Sequence, residues 1–513
     1  MILEILLYTF IASILTILGI IYFQIIRPGK RSYDAFRAQG INGEPFVPLL
    51  GELPQLRRYR DANRMMDYQE DLTKKYGNVF LYSLGPVVYL VVNEPDMLAD
   101  VLSRNNAQNY VKTPYNKNTF IPIIGKHNLL MTEGQEHERA RRTLNPAFHF
   151  DYLKSLISIM TDRTAKTIDS LFIKLNLNHE KQQEIDLQSL FNSLTLSVIV
   201  ASAFGSDLET NTQAKEIMCK VLNEALDAIV YRTMHMINQI GFLSKLPFWQ
   251  RDVVDNGSRV IGEFVDQVII DRRQGRSTSM SEGADLLDLL ISAGNNEGES
   301  FTDEEIRDQA LTFVFAGSET TGNLMVWLLY VLMTHDDVLQ ACREEVDRVL
   351  PNGIEPSHEH LAELAVCEAV INETLRLYPT APFFARLSIR DHTIGTDRKI
   401  FVPAGSAIFI NSYILHRRGD LWPRPLEFDY TRWMRNAKTG LKPKLAHPFA
   451  YVPFGAGPRN CIGQNFALLE AKIILAMFIQ RFNFELVPGQ LIIPDIKIAM
   501  RARYGLLANI SKR

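Results

Sequence analysis

One cysteine stands where its chemistry would matter. The run Phe454-Gly455-Ala456-Gly457-Pro458-Arg459-Asn460-Cys461-Ile462-Gly463 holds a thiol in a glycine-rich loop behind Pro453, and a helix-prone stretch from Phe466 to Lys472 follows. Glycines permit turns closed to other residues and let a flat partner come close. A helix start presents unpaired N–H groups and the positive end of its dipole, and both favour a thiolate over a thiol. No second cysteine or histidine lies in the run, so zinc and iron-sulfur sites, which need several protein ligands, are poor readings. A single axial thiolate suits haem iron; the rival is a buried structural cysteine beside a turn.

A second polar interruption lies upstream. Thr302 and Glu305 form a capping box that opens a helix running to about Thr334, a length of about 48 Å at the usual helical rise. Its middle, Phe315-Ala316-Gly317-Ser318-Glu319-Thr320-Thr321-Gly322, breaks an otherwise apolar run. Buried polar groups there need partners or a purpose. A helix thinned at Ala316 and Gly317 makes room for a small ligand, and a hydroxyl beside an acid can hand on protons from water. Taken alone, the segment is also readable as a core helix with back-bonded threonines. His137 and Arg141, four apart on a helix, can reach one anionic group. Glu373 and Arg376 share a helix face before Leu377-Tyr378-Pro379, a spacing that suits a buried ion pair.

These stretches, in this order, resemble the cytochrome P450 family. The cysteine loop matches its Phe-x-x-Gly-x-Arg-x-Cys-x-Gly signature, and Ala316 to Thr321 match its oxygen-binding motif. The resemblance implies that Cys461 is the axial ligand of haem b, in a cofactor site that includes Phe454, Gly455, Arg459, Gly463, Ala316 and Gly317. It implies that Arg141, Arg386 and Arg459 hold the haem propionates, with His137 where the family usually carries Trp. Thr320 and Glu319 would serve oxygen activation and proton delivery. Glu373, Arg376 and Arg432 would form a structural triad, with Tyr430 where Pro is common. Phe383 and Phe384 would line the substrate pocket.

The implied fold is mainly α with a small β region (α+β), preceded by one transmembrane helix. Ile5 to Ile26 is almost wholly apolar, about 33 Å as a helix and long enough to span a bilayer. Arg27, Lys30 and Arg31 follow it, which places the body on the cytoplasmic side; no basic residue precedes the stretch, against the rival reading as a cleaved signal peptide. The expected division is an anchor over 1–27, a proline-containing hinge over 28–56 in which turns replace regular structure, and a single haem domain over 57–513. Strands are expected across 79–92 and a hairpin around Val402 to Ser406. Residues 110–130 read as irregular chain, either lining a site or running over the surface. Residues 241–249 carry the aromatic and basic mixture of a bilayer interface, or of a core segment. After Cys461 a helix is expected to about Phe482, then strand-like runs over 491–494 and 504–510.

A net charge of −3 over 513 residues gives no general attraction to nucleic acid. The four cysteines, Cys219, Cys342, Cys367 and Cys461, show no paired spacing and fit a reducing compartment. No dinucleotide or flavin motif occurs, so electrons must come from another protein. The resemblance makes that protein an NADPH-dependent flavoprotein reductase, with cytochrome b5 as a further donor; Arg139, Arg142, Lys442 and Lys444 are read either as its docking patch or as plain solvated surface. The implied activity is insertion of one oxygen atom from O2 into a lipophilic substrate (fatty acid, sterol, terpenoid or xenobiotic) at the endoplasmic reticulum membrane. A haem-thiolate isomerase or dehydratase and a non-enzymatic haem sensor are the alternatives.

Overall fold

The computed structural model describes residues 2–513 apart from 104–105, 178–181, 206–211, 234, 236–245, 281–283, 294–300 and 437. The apolar N-terminal run forms one helix, α1, over Ile2–Arg37, and its most apolar window has no residue buried against the rest of the chain. Turns were expected at Pro28-Gly29, but the helix continues through them. The physical reason lies just before: Tyr22–Ile26 is a π-helical turn, and Pro28 enters the first turn of the segment that follows, where its missing N–H is tolerated.

Strands β1 (Val79–Leu84) and β2 (Val87–Val92) pair antiparallel about a turn at Gly85, as the alternation predicts. After the short strand β3 (Tyr110–Val111), residues expected to be irregular form helix α2, Pro114–Ile124. Its prolines misled the sequence reading: Pro114 opens the helix, where a missing N–H is tolerated, and Pro122 lies inside it, where one intrahelical bond is given up. Helix α3 (Gly134–Leu144) follows, then α4 (Leu187–Phe204), a core helix despite its apolarity. Next come α5 (Thr212–Thr233) and α6 (Asp303–Thr334). The capping box of α6 forms, Thr302 accepting from Glu305 N–H while the Glu305 side chain returns the bond. From Leu324 to Leu329 every α6 side chain is enclosed, so this helix is the spine of the core.

Helix α7 (Ala365–Leu377) leads into β4 (Phe383–Ser388) and β5 (Ala407–Asn411). The sheet runs β1-β2-β5-β4-β3, with β5 parallel to β2 and antiparallel to β4. The expected hairpin around 402–406 does not exist as such: Ile400–Val402 pairs with His392–Ile394 while β5 joins the larger sheet. Helix α8 (Gln464–Arg481) follows the cysteine loop and gives way at Phe482 to β6 (Phe482–Leu486), which pairs with Leu507–Lys512. The run 491–494 contributes only its last residue to strand, Pro494–Ile496.

Candidate active site

The cysteine loop is shaped by backbone before any ligand is considered. Cys461 N–H donates to Phe454 O at 2.9 Å, closing the loop on itself. Gly457 has a φ of 71°, and a Cβ there would lie 1.7 Å from Leu102 O, so no other residue fits. Gly455 is also in the left-handed region, while Gly463 caps the start of α8 at an ordinary φ of −83°. Cys461 is exposed. Its thiol nevertheless lies above the usual cysteine range, because surrounding protein desolvates it more than the Gly463 N–H and Arg141 favour its anion. A coordinated cation would deprotonate it outright.

The middle of α6 carries a separate exposed strip. Ala316 is exposed and Thr320 half-exposed, one turn apart on one face of a helix otherwise almost entirely buried there. Thr320 Oγ1 donates to Ala316 O at 2.8 Å. Gly317 was expected to thin the helix toward a ligand. It faces the other way: a Cβ at Gly317 would lie 2.6 Å from Ile199 of α4, so this glycine brings two helices together. Glu319 also points away from the cleft and is 6% exposed. Burial raises its pKa, against the attraction of Lys497 and Arg501.

The expected propionate ligands converge beside the loop. Arg141, in the last turn of α3, donates to Asn460 O at 2.7 Å and to Asn460 Oδ1 at 2.8 Å, and so braces the residue before the cysteine. Arg459 donates to Thr132 O at 2.8 Å and pairs with Glu133. Arg386 on β4 is buried and donates to Ala385 O at 3.0 Å, with its guanidinium 5.3 Å from the centroid of the Phe384 ring. Sequence reasoning missed Lys112, which lies at the same cleft with Arg386, Arg459 and Glu133. Its backbone N–H donates to Glu133 Oε1 at 2.6 Å. A lone lysine in a stretch read as irregular gave no signal.

This cluster is starved of negative charge. Burial, then Arg386 and Arg459, hold Lys112 well below its ordinary range; burial and then Arg459 bring Arg386 down to about 10, with Glu133 opposing in both cases. His137 is buried and held at about 3 by burial and then by Arg459, Arg141, Lys112 and Arg386, so it is a neutral imidazole. Cations gathered around Glu133 beside an open sulfur fit a flat ligand bearing a soft metal at its centre and carboxylates at its edge.

Phe383 and Phe384 cannot both line this cleft. Neighbours on a strand face opposite ways, and Phe383 packs on Phe409 with ring centroids 5.3 Å apart, leaving Phe384 on the Arg386 side. The triad on the cysteine side does assemble. Glu373 and Arg376, both fully buried, pair at 2.8 Å, and Arg432 Nε donates to Glu373 Oε1 at 3.2 Å. Trp433 Nε1 and Asp429 N–H complete the shell at 2.8 and 2.9 Å. Tyr430 simply begins the short 3-10 turn, Tyr430–Trp433, that carries Arg432 and Trp433. Arg139 is not free for docking, since it pairs with Glu305 of α6; Lys442 lies 3.7 Å from Glu368. Of the expected bilayer loop, residues 241–245 lie outside the described residues, while Leu246 and Phe248 are exposed.

Comparison with known proteins agrees with this arrangement. The family model described as Cytochrome P450 matches residues 41–504. Cytochrome P450 3A29 of Sus scrofa is 29% identical over 463 residues, covering 89% of this chain and 88% of that protein. Cytochrome P450 3A6 of Oryctolagus cuniculus is 28% identical over 471 residues, with the same two coverages of 89% and 88%. Cytochrome P450 3A5 of Homo sapiens is 29% identical over 481 residues, again covering 89% and 88%.

Proposed function

This chain belongs to the cytochrome P450 family and is a haem-thiolate monooxygenase, and from that premise we propose which residues carry the reaction, on what class of substrate and with what partner. When bound, the haem iron with its Cys461 thiolate uses two electrons and two protons to activate O2 and insert one oxygen atom into a substrate C–H bond. Arg386, Arg459 and Lys112 neutralise the haem propionates, with Arg141 bracing the loop at Asn460, and the neutral His137 contributes a hydrogen bond without adding charge. Ala316 leaves space over the cleft. Thr320 Oγ places a hydroxyl at the edge of that space, and Glu319 supplies its helix with an acid whose pKa burial raises.

The substrate is a lipophilic molecule. Phe384 beside Arg386 and the Phe120–Phe315 pair, with centroids 5.8 Å apart, are the apolar groups offered for it. Electrons arrive from a separate NADPH-dependent flavoprotein reductase. The α1 anchor holds the enzyme on the endoplasmic reticulum membrane, with its body on the cytoplasmic side. The observation that carries the reading is the exposed Cys461 on a loop whose Arg459 gathers with Arg386 and Lys112 around Glu133.

The test is the absorption spectrum of the reduced, carbon-monoxide-bound protein beside Cys461→Ser. The Soret band is expected at the long-wavelength position of thiolate-ligated haem in the first and absent in the second. The same band in both proteins, or haem without thiolate character in the unaltered chain, would overturn the assignment of Cys461.

A further inference from the structure

Between α2 and α3 the chain from Gly125 to Glu133 forms neither helix nor strand, yet Asn128, Leu129, Met131 and Thr132 on it are buried. Backbone groups buried outside a helix or ladder must find partners elsewhere. Two neighbours on α6 supply them. Asp308, 4% exposed, accepts from His127 N–H at 2.8 Å. Gln309, 1% exposed, accepts from Leu129 N–H at 2.9 Å and donates to His127 O at 3.4 Å. The fit at the start of this strap is close. Gly125 has a φ of 74°, and a Cβ on it would lie 1.9 Å from Asp308 Oδ1, so the carboxylate fills the room that a side chain at 125 would need.

The far end of the strap is held by the cysteine loop, where Arg459 donates to Thr132 O at 2.8 Å and pairs with Glu133. Between the two ends Asn128 stiffens the turn. Its Oδ1 accepts from Leu130 and Met131 N–H at 3.0 Å each, and its carbonyl accepts from Thr132 Oγ1 at 2.8 Å. The strap therefore joins α6 to the residue two places before Cys461 by directional bonds at both ends. It also fixes the end of α2, whose Phe120 meets Phe315 of α6 with ring centroids 5.8 Å apart, next to Ala316. A second join between α6 and the cysteine loop is aromatic. Phe148 stacks on Phe313 of α6 with centroids 5.4 Å apart, and a Cβ at Gly463 would lie 3.9 Å from the Phe148 ring. Stacked rings tolerate sliding, whereas hydrogen bonds to backbone donors set a register.

We propose that Asp308 and Gln309 are positioning residues for the monooxygenase reaction: they bolt the strap to α6, and so fix where Phe120 stands and how α6 is placed against the cysteine loop. This rests on the reading of Cys461 as the haem ligand. It assigns to Asp308 and Gln309 no contact with substrate or cofactor.

The test uses the haem-loaded full chain in lipid discs and two probes that ligate haem iron through nitrogen, imidazole and phenylimidazole, each titrated by its Soret shift. The phenyl group needs a preformed apolar wall, and imidazole does not. In Asp308→Ala the dissociation constant of phenylimidazole is expected to rise about tenfold while that of imidazole stays within about twofold. Gly125→Ala should reproduce this pattern from the other side of the contact, since its Cβ displaces the carboxylate. Asp308→Asn keeps an oxygen for His127 N–H and should restore phenylimidazole binding to within about threefold of the unaltered protein. Hydrogen exchange followed by mass spectrometry should show faster exchange in the peptide covering 125–133 in Asp308→Ala. Unmoved phenylimidazole affinity, equal weakening of both probes, or unchanged exchange in that peptide would overturn the proposal. If Asp308→Ala does not take up haem, Gln309→Leu, which removes the bonds to His127 O and Leu129 N–H, is judged by the same readouts. Failure of the carbon-monoxide spectrum would strike the haem-thiolate reading, whereas the exchange measurement needs no haem and tests the strap by itself.

Discussion

Glu373 and Glu319 are both buried carboxylates, each on a long-range helix of the same core, and they are treated in opposite ways. Glu373 receives hydrogen bonds from Arg376, Arg432, Trp433 and the Asp429 N–H, at 2.8 to 3.2 Å. Glu319 has no ion pair at contact distance among the described residues, and burial raises its pKa. A saturated carboxylate is fixed in charge and geometry, which suits a part that must hold a loop still. An undersupplied one can change its proton occupancy, which suits a part that takes part in a reaction. The cysteine side of the molecule is built the first way and the α6 side the second.

The contrast can be broken most forcefully at Glu373. Replacing it with Ala leaves Arg376 buried without its anion and is expected to cost about 3 to 5 kcal/mol, read as loss of haem-loaded protein and a lower urea midpoint. A Glu373→Ala protein of unaltered stability would show that the shell is redundant. The cysteine side should also fail in acid. His416 is fully buried, its Nε2 accepts from Val452 N–H at 2.9 Å, and burial and then Arg376 and Arg417 hold its pKa at about 3. The unfolded chain takes up that proton near the ordinary histidine value of 6.5, so the stabilisation is complete above that pH and is lost as pH falls toward 3. The slope is at most about 1.4 kcal/mol per pH unit for this one group, and His416→Asn should flatten melting temperature against pH over that window.

Trp433→Phe removes one donor and leaves the others on Glu373, so a loss of about 1.5 kcal/mol is expected in denaturant titration, well short of the Glu373→Ala effect. The smallest effect on stability sharpens the comparison most. Thr320→Ala deletes a hydroxyl bonded to its own helix, and unfolding should move by no more than about 0.5 kcal/mol. Haem content should be unchanged while NADPH consumption becomes uncoupled from product. Full coupling in that variant would remove Thr320 from proton delivery.

Much of this was legible without coordinates. The capping box at Thr302, the paired strands about Gly85 and the apolar anchor depend on local chemistry, and each forms as the residue order dictates. The triad could be anticipated once the cysteine loop and Glu373-x-x-Arg376 were read in order, although Trp433 could not. What only the tertiary structure decided is direction. The helix through Ala316, Gly317 and Glu319 is local, but whether a position is left exposed, meets Ile199 or is buried depends on the elements packed around it. The same holds for Phe383 against Phe384, where strand alternation is known from sequence but its phase is not. The surroundings of the thiol divide in the same way. A glycine loop and a helix start are visible in sequence, whereas desolvation is a sum over neighbours brought from distant parts of the chain, and that sum is written only in three dimensions.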